Sequence, residues 1–432
     1  MEIIAKYLDT KAIKGPWKIA GCTESGFCGA VVIPALAESS TLMATLYSLA
    51  QNPPDTLSRF LVVVVVNHRE DALAADKTDN LSTLGLLASG NLSTSALCLA
   101  WIDAASPGLE LPAKNGGVGL ARRIGLDLAL TRVDHKCGNP ILVCLDADTL
   151  VKPDYLPALI RHFEQNLTGA AVIPFLHQQG KTPEGERAIT RYELFLRSYV
   201  LGLSHAGSPY GFHTVGSAMA CRASAYVKIG GMNSRTAGED FYFLQQLART
   251  AGVGQVRGTV LYPSSRASHR VPFGTGRSVS RLLEEEDGVV SFYNVACYRI
   301  LAQWLALVAN NAGMGGAAIR SRAEDVSPEL AEYLDKVSFE EIWDKLQRNS
   351  NGRSNLLTAF NGWFDGLKTM KLIHHLSAGS YPRCEPDLAM PGLLDWAGLS
   401  MVDGLDRQLE LLRRIQLVED YEGSAPFPPQ SL

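Results

Sequence analysis

Short apolar runs separated by helical patterns predict an α/β protein: a mostly parallel sheet with helices on both faces, followed by a mainly α-helical C-terminal region. Three observations carry this expectation. Runs at 30–33, 60–66, 96–102, 141–145 and 170–173 are rich in Val, Ile, Leu and Ala, and continuously apolar rather than alternating, as strands buried on both faces are. The intervening segments repeat apolar residues three and four apart: Leu42, Leu46 and Leu49; Val118, Ala121, Ile124 and Leu128; Leu156, Leu159, Ile160 and Phe163, a helix entered through Pro153. Beyond about residue 277 the strand signals stop.

The middle of the chain is less regular. Residues 177–187 are polar with Gly and Pro and predict a mobile loop; a helix over 188–203, a Gly-, His- and Ser-rich loop over 204–216, and strands within 217–222 and 256–262 follow. Helices are then expected over 282–309, 329–337, 339–347, 356–376 and 405–418, with Leu409, Leu412 and Ile415 on one face. These readings divide the chain into residues 1–277 and 278–432. The acidic run at 284–287 reads as a solvated helix face.

With 432 residues, 46% of them hydrophobic, the chain can bury more than one core. A net charge of −4 provides no broad basic field, which argues against DNA or RNA as a partner. The eight cysteines are scattered without a CxxC pair, so they read as reduced core thiols rather than a disulfide framework or a zinc site. No basic-then-apolar leader opens the sequence, and the apolar stretches at 60–66 and 300–309 fall short of the roughly 20 residues that cross a bilayer. The expectation is a cytoplasmic protein without a transmembrane segment, peripheral membrane contact left open.

Chemistry concentrates after the strands. Asp146-Ala147-Asp148 directly follows the run at 141–145, so both carboxylates belong at the carboxyl edge of the sheet, where open α/β folds bind ligands. Oxygen donors there suit Mg²⁺ or Mn²⁺ beside a nucleotide diphosphate. Gly238-Glu239-Asp240 opens a helix whose dipole favours ionised carboxylates, and an ionised Asp facing a cleft can take a proton from a hydroxyl. Further on, His269 offers a metal ligand and Arg270 a cation for a diphosphate, among glycines that permit close approach. Pro34 to Glu38 follow the first strand and Asn67 to Asp71 the second; polar groups at such turns can hold a base and ribose. The Gly-rich stretch at 115–119, with Arg122 and Arg123, offers a helix entry suited to anions without matching a P-loop.

Taken in order, Val32-Ile33-Pro34 with Glu38, Gly119 with Ala121-Arg122, Asp146-Ala147-Asp148, the 216–222 segment, Gly230-Gly231-Met232 and Gly238-Glu239-Asp240 resemble family 2 glycosyltransferases of the GT-A fold, over about residues 28–277. The resemblance implies a GT-A-like, Rossmann-type sheet and transfer of a sugar from a nucleotide diphosphate sugar to an acceptor hydroxyl. It also implies that Asp146 contacts the ribose side of the donor, that Asp148 ligates Mg²⁺ or Mn²⁺ with His269 as a further ligand, and that Glu38 and the 67–71 turn hold the base. Asp240 would be the general base of an inverting reaction, with Glu239 beside the acceptor. Asn67 stands where many members carry an Asp that recognises uracil, which leaves the base open. The helices of 278–432 match nothing in the family pattern; they offer a surface for the acceptor or for a homo-oligomer.

Three rival readings differ in chemistry. A retaining GT-A transferase shares the DxD motif but needs no base opposite the leaving group. A nucleotidyltransferase would carry a Gly-rich basic loop after the first strand, where this chain has Pro34 to Glu38 instead. A non-catalytic sugar-nucleotide scaffold would use the helical region as a partner surface.

Overall fold

The computed structural model describes residues 2–90, 96–135, 138–266 and 290–417. They fall into two compact units: residues 2–189 with 214–266, and residues 190–213 with 290–416. The division is thus not a single cut at 277, because 190–213 cluster with the helices.

The first unit is built on an eight-stranded sheet. Its strands are β1 (Ile19–Gly21), β2 (Gly29–Ala35), β3 (Phe60–Asn67), β4 (Cys98–Ala104), β5 (Ile141–Cys144), β7 (Ala170–Val172), β8 (Met219–Arg222) and β9 (Val253–Gln255), in the spatial order β1-β4-β3-β2-β5-β8-β7-β9. The run β4-β3-β2-β5 is parallel throughout; β1 and β8 lie antiparallel to their neighbours, and β9 is parallel to β7. A mostly parallel sheet was expected, and the central strands explain why it is legible: every residue of β2 and β3 is buried. Only a strand covered on both faces tolerates so unbroken a run of valines.

Pro34 lies inside β2 rather than in the turn after it. Val32 accepts a bond from Leu145 N–H at 3.1 Å, so Val32, and two residues later Pro34, face β5, whose last residue is Cys144. Proline has no N–H to carry the ladder further toward β5, and the pairing ends at Cys144.

Helices α1 (Glu2–Thr10), α2 (Leu42–Ala50), α3 (Pro54–Leu57), α4 (Ala74–Ala88), α5 (Val118–Ala129), α6 (Tyr155–Gln165), α8 (Ala223–Lys228) and α9 (Glu239–Ala251) accompany this sheet. Between α6 and α8 runs α7 (Pro183–His205), which begins within the stretch expected to be loop: residues 183–187 are its first turn. Pro183 suits a first helical position and Glu184 and Glu186 suit its dipole, signals outweighed in the sequence by the polarity of 177–182.

A second, two-stranded sheet matters more for the site. β6 (Leu150–Val151) pairs antiparallel with β10 (Leu261–Tyr262), Val151 opposite Leu261 and Leu150 opposite Tyr262. Neither is long enough to announce itself, yet together they hold the segment after Asp148 beside the segment leading to Arg266.

The helical unit contains, besides the end of α7, α10 (Val295–Asn310), α11 (Gly316–Val326), α12 (Pro328–Lys336), α13 (Phe339–Asn349), α14 (Arg353–Trp363), α15 (Gly366–Ala378), α16 (Pro386–Trp396) and α17 (Leu405–Leu417). The helix expected over 356–376 is two helices. Asp365 breaks it, its side chain accepting from Lys368 N–H at 3.0 Å as the cap of α15. Trp304, Phe339, Trp343, Phe360 and Phe364 form the centre of this core, with Trp304 and Phe339 packed edge to face at 5.0 Å. Buried Glu193 of α7 accepts from Arg197 at 2.8 Å and from Arg413 of α17 at 2.7 Å, which ties the last helix to this unit. No helix among the described residues is long and apolar enough to cross a membrane.

Candidate active site

Where β5 ends, the chain turns through Asp146-Ala147-Asp148 at the carboxyl edge of the parallel strands. The turn is held from three sides. Thr149 N–H donates to Asp146 O at 3.1 Å, Thr45 Oγ1 to Ala147 O at 3.0 Å, and Gln178 Nε2 to Asp148 O at 2.9 Å. The same amide nitrogen of Gln178 also donates to Tyr262 O at 2.8 Å, so it couples the acidic turn to β10.

Arg122, in the first turns of α5, is the cation that organises the site. Its Nη2 lies 2.5 Å from Oδ1 of Asp146, and its Nη1 donates to Oε1 of Glu239, the first residue of α9. Arg122 and Glu239 are both buried, whereas the side chain of Asp146 is 37% exposed, so the open end of this triad is the DxD carboxylate. Burial alone would lower the guanidinium pKa; the two carboxylates outweigh it and hold the group charged. The Gly-rich entry to α5, expected to suit an anion, also serves packing. A Cβ on Gly119 would lie 2.5 Å from Arg235 O and 3.0 Å from the Glu239 Cβ, so only glycine lets α5 approach the start of α9 this closely.

A second cation sits on the other aspartate. Nη2 of Arg266 lies 2.9 Å from Oδ2 of Asp148 and bonds Oε1 of Glu38 as well. Glu38 also accepts from Thr41 Oγ1 at 2.5 Å. Arg266 comes here because β10, four residues before it, is paired with β6, two residues after Asp148.

Asp240 follows Glu239 at the start of α9 and is half-buried, its Oδ1 accepting from Phe241 N–H at 2.7 Å. Burial, and then the charge of Glu239, push its carboxyl up to about 7, against the pull of Arg122. A carboxyl so placed can exchange a proton near neutrality.

The other expected residues are distributed unevenly. Arg122 links Asp146 to Glu239, with Asp240 next to Glu239 in the chain, and Arg266 links Asp148 to Glu38. Glu239, expected beside an acceptor, is instead buried against Arg122. Asn67 is 4% exposed and its amide is spent on the sheet edge, donating to Ala35 O at 3.2 Å and Val65 O at 3.0 Å. That secures the ends of β2 and β3 and turns its donor away from a ligand. Pro34 is buried within β2. His269 and Arg270 lie outside the described residues. Sequence reasoning passed over Arg266 and Gln178, whose importance depends on the β6 and β10 pairing, and a two-residue strand leaves no periodic trace.

Residues 141–358, half of the chain, match the model of glycosyl transferase family group 2. No curated protein sequence matches. Among solved structures the chain is similar to S. aureus TarS 1-349 in complex with UDP-GlcNAc, at 14% identity and a TM-score of 0.35, over 67% of this chain and 69% of that one. It is similar to the mannosyltransferase PcManGT from Pyrobaculum calidifontis in complex with GDP-Man and Mn²⁺, at 15% identity and a TM-score of 0.36, over 84% and 92%. A third is GalNAc-T7 with UDP, GalNAc and Mn²⁺, at 15% identity and a TM-score of 0.34, over 61% and 48%. The matched family segment begins with β5, runs through Asp146 and Asp148, and takes in Glu239 and Asp240; by that match the chain belongs to glycosyl transferase family group 2 and is a glycosyltransferase.

Proposed function

We propose that this enzyme transfers a sugar from a nucleoside diphosphate sugar to an acceptor hydroxyl, with inversion at the anomeric carbon and Asp240 as the general base. One observation carries the reading: Arg122 bonds both Asp146 and Glu239, so the acidic turn after β5 and the acidic start of α9 form one site. A donor diphosphate belongs at the first, and a base that works near neutral pH belongs at the second.

Asp240 meets the requirement for such a base. A carboxyl held near neutrality is mostly ionised at slightly alkaline pH and still basic enough to accept the acceptor's proton as the new bond forms. Its place at the N-terminus of α9 favours the ionised form once an acceptor is present. Arg122 keeps Asp146 and Glu239 fixed while this happens, because moving either would leave the buried guanidinium short of a partner.

The donor set fits a divalent cation. Glu38 and Asp148 already converge on a single guanidinium nitrogen of Arg266, so two hard oxygen donors are aimed at one positive charge. Asp148 would hold Mg²⁺ or Mn²⁺, with His269 as a further ligand, and the ion would offset the charge that develops on the leaving diphosphate.

The test is the anomeric configuration of the product, read by NMR during turnover of wild-type enzyme, together with Asp240→Asn. An inverted product, and an Asn variant that binds donor but does not transfer, support the reading; a retained configuration overturns it.

A further inference from the structure

At the β1 edge of the sheet, Cys22, Cys98 and Glu24 converge. Their two Sγ atoms and a carboxylate oxygen all lie within 4.8 Å of one another. Far apart in sequence, the two cysteines meet because β1 pairs with β4, Gly21 opposite Ala100, and Cys22 N–H donates to Leu99 O at 3.0 Å.

Regular pairing would not bring the thiols together. Cys22 is opposite Leu99, and in a regular strand Leu99 and Cys98 point to opposite faces. Gly21 breaks the alternation: its φ of +85° is open to glycine and costly for other residues, and a Cβ there would lie 2.5 Å from the Trp101 ring. Behind this bend the chain is clamped. Arg132 Nη1 donates to Thr23 O at 2.9 Å and Glu24 O at 3.1 Å, and Gly26 N–H donates back to Arg132 O at 2.8 Å. Cys22 and Glu24 are therefore presented by a fixed loop, and Cys98 by the first position of β4. All three become anionic on ionisation, and burial with the nearby Cys22 and Glu24 raises the Cys98 thiol pKa.

We infer that Cys22, Cys98 and Glu24 form a binding site for a thiophilic divalent cation of the zinc type. Two thiolates and a carboxylate, with water in the fourth position, match the ligands and coordination number zinc takes, and thiolate excludes the hard cations suited to Asp148. On binding, the two thiol protons pass to solvent and the metal–sulfur bonds tie edge strand β1 to β4. The proposal departs from the expectation of reduced core thiols rather than a zinc site: Cys22 and Cys98 are only half-buried.

Cobalt substitution tests it on the full chain in reducing buffer. Co²⁺ added to metal-stripped wild-type protein should give thiolate-to-cobalt charge-transfer absorption saturating at about one ion per chain, a band carboxylate ligands alone do not produce. Cys22→Ser and Cys98→Ser should lose the band and keep a native near-ultraviolet circular dichroism spectrum, Glu24→Gln should show it with weaker affinity, and Asp148→Ala should leave it intact. Absence of the band in folded wild-type protein, or its survival in both serine variants, would overturn the proposal; neither outcome bears on the transferase reading.

Discussion

The guanidinium of Arg122 lies 2.5 Å from the carboxylate of Asp146, and this contact joins an otherwise buried ion pair to the one carboxylate of the cluster that is substantially exposed. The consequence is that Asp146 is the solvent-facing partner of a buried pair. Anything that binds Asp146 is felt by Glu239 through one planar cation, whose fork geometry fixes both partners at once.

Removing that cation should be costly. Arg122→Leu leaves Glu239 charged and buried, which typically destabilises a protein by about 3–5 kcal/mol. Thermal denaturation should show a large fall in midpoint, partly recovered when Glu239→Leu is added. Additive effects of the two substitutions would mean the pair is not coupled.

Asp240 should make both activity and stability depend on pH, in opposite senses. Its folded pKa, about 7, lies above the ordinary 3.8, so the folded state binds more protons than the unfolded state between those values. Stability contributed by the protonated carboxyl is full below about 4 and is lost as pH rises through 7. Asp240→Asn should therefore raise the melting midpoint at pH 8, by roughly 2–4 °C for each kcal/mol regained, and do little at pH 4. The kcat/KM of the wild type should meanwhile rise with pH and level off above about 7. A stability gain equal at both pH values would show that Asp240 is not the group responsible.

Arg266 occupies the carboxylates that a divalent cation would use. Arg266→Ala frees Asp148 and Glu38 of a competing positive charge, so calorimetric titration with Mn²⁺ should show tighter binding than in the wild type. Weaker binding in the variant would instead make Arg266 part of the ligand's support.

Asp148→Ala is expected to abolish the effect of Mn²⁺ on donor binding. In thermal-shift experiments, a nucleoside diphosphate sugar should stabilise the wild type more with Mn²⁺ than without it, and the variant equally in both. A variant that keeps the metal-dependent gain would move the metal site elsewhere.

The central strands, the helices between them and the positions of the acidic motifs were legible in the chain because each depends on neighbours close in sequence. A run such as Phe60–Asn67 can only be a strand buried on both faces, and an acid after such a strand can only sit at the sheet edge. Local pattern also misled where two signals competed, as with the polar stretch that hid the first turn of α7 and the single helix expected across Asp365. What tertiary structure alone decided is which side chains meet. Arg266 reaches Asp148 through a pair of two-residue strands, Asn67 is turned into the sheet rather than outward, and Cys22 finds Cys98 through a glycine bend on an edge strand. Periodicity records which face of an element is buried; it carries no information about the partner that buries it, because that choice is made by register and packing between segments far apart in the chain.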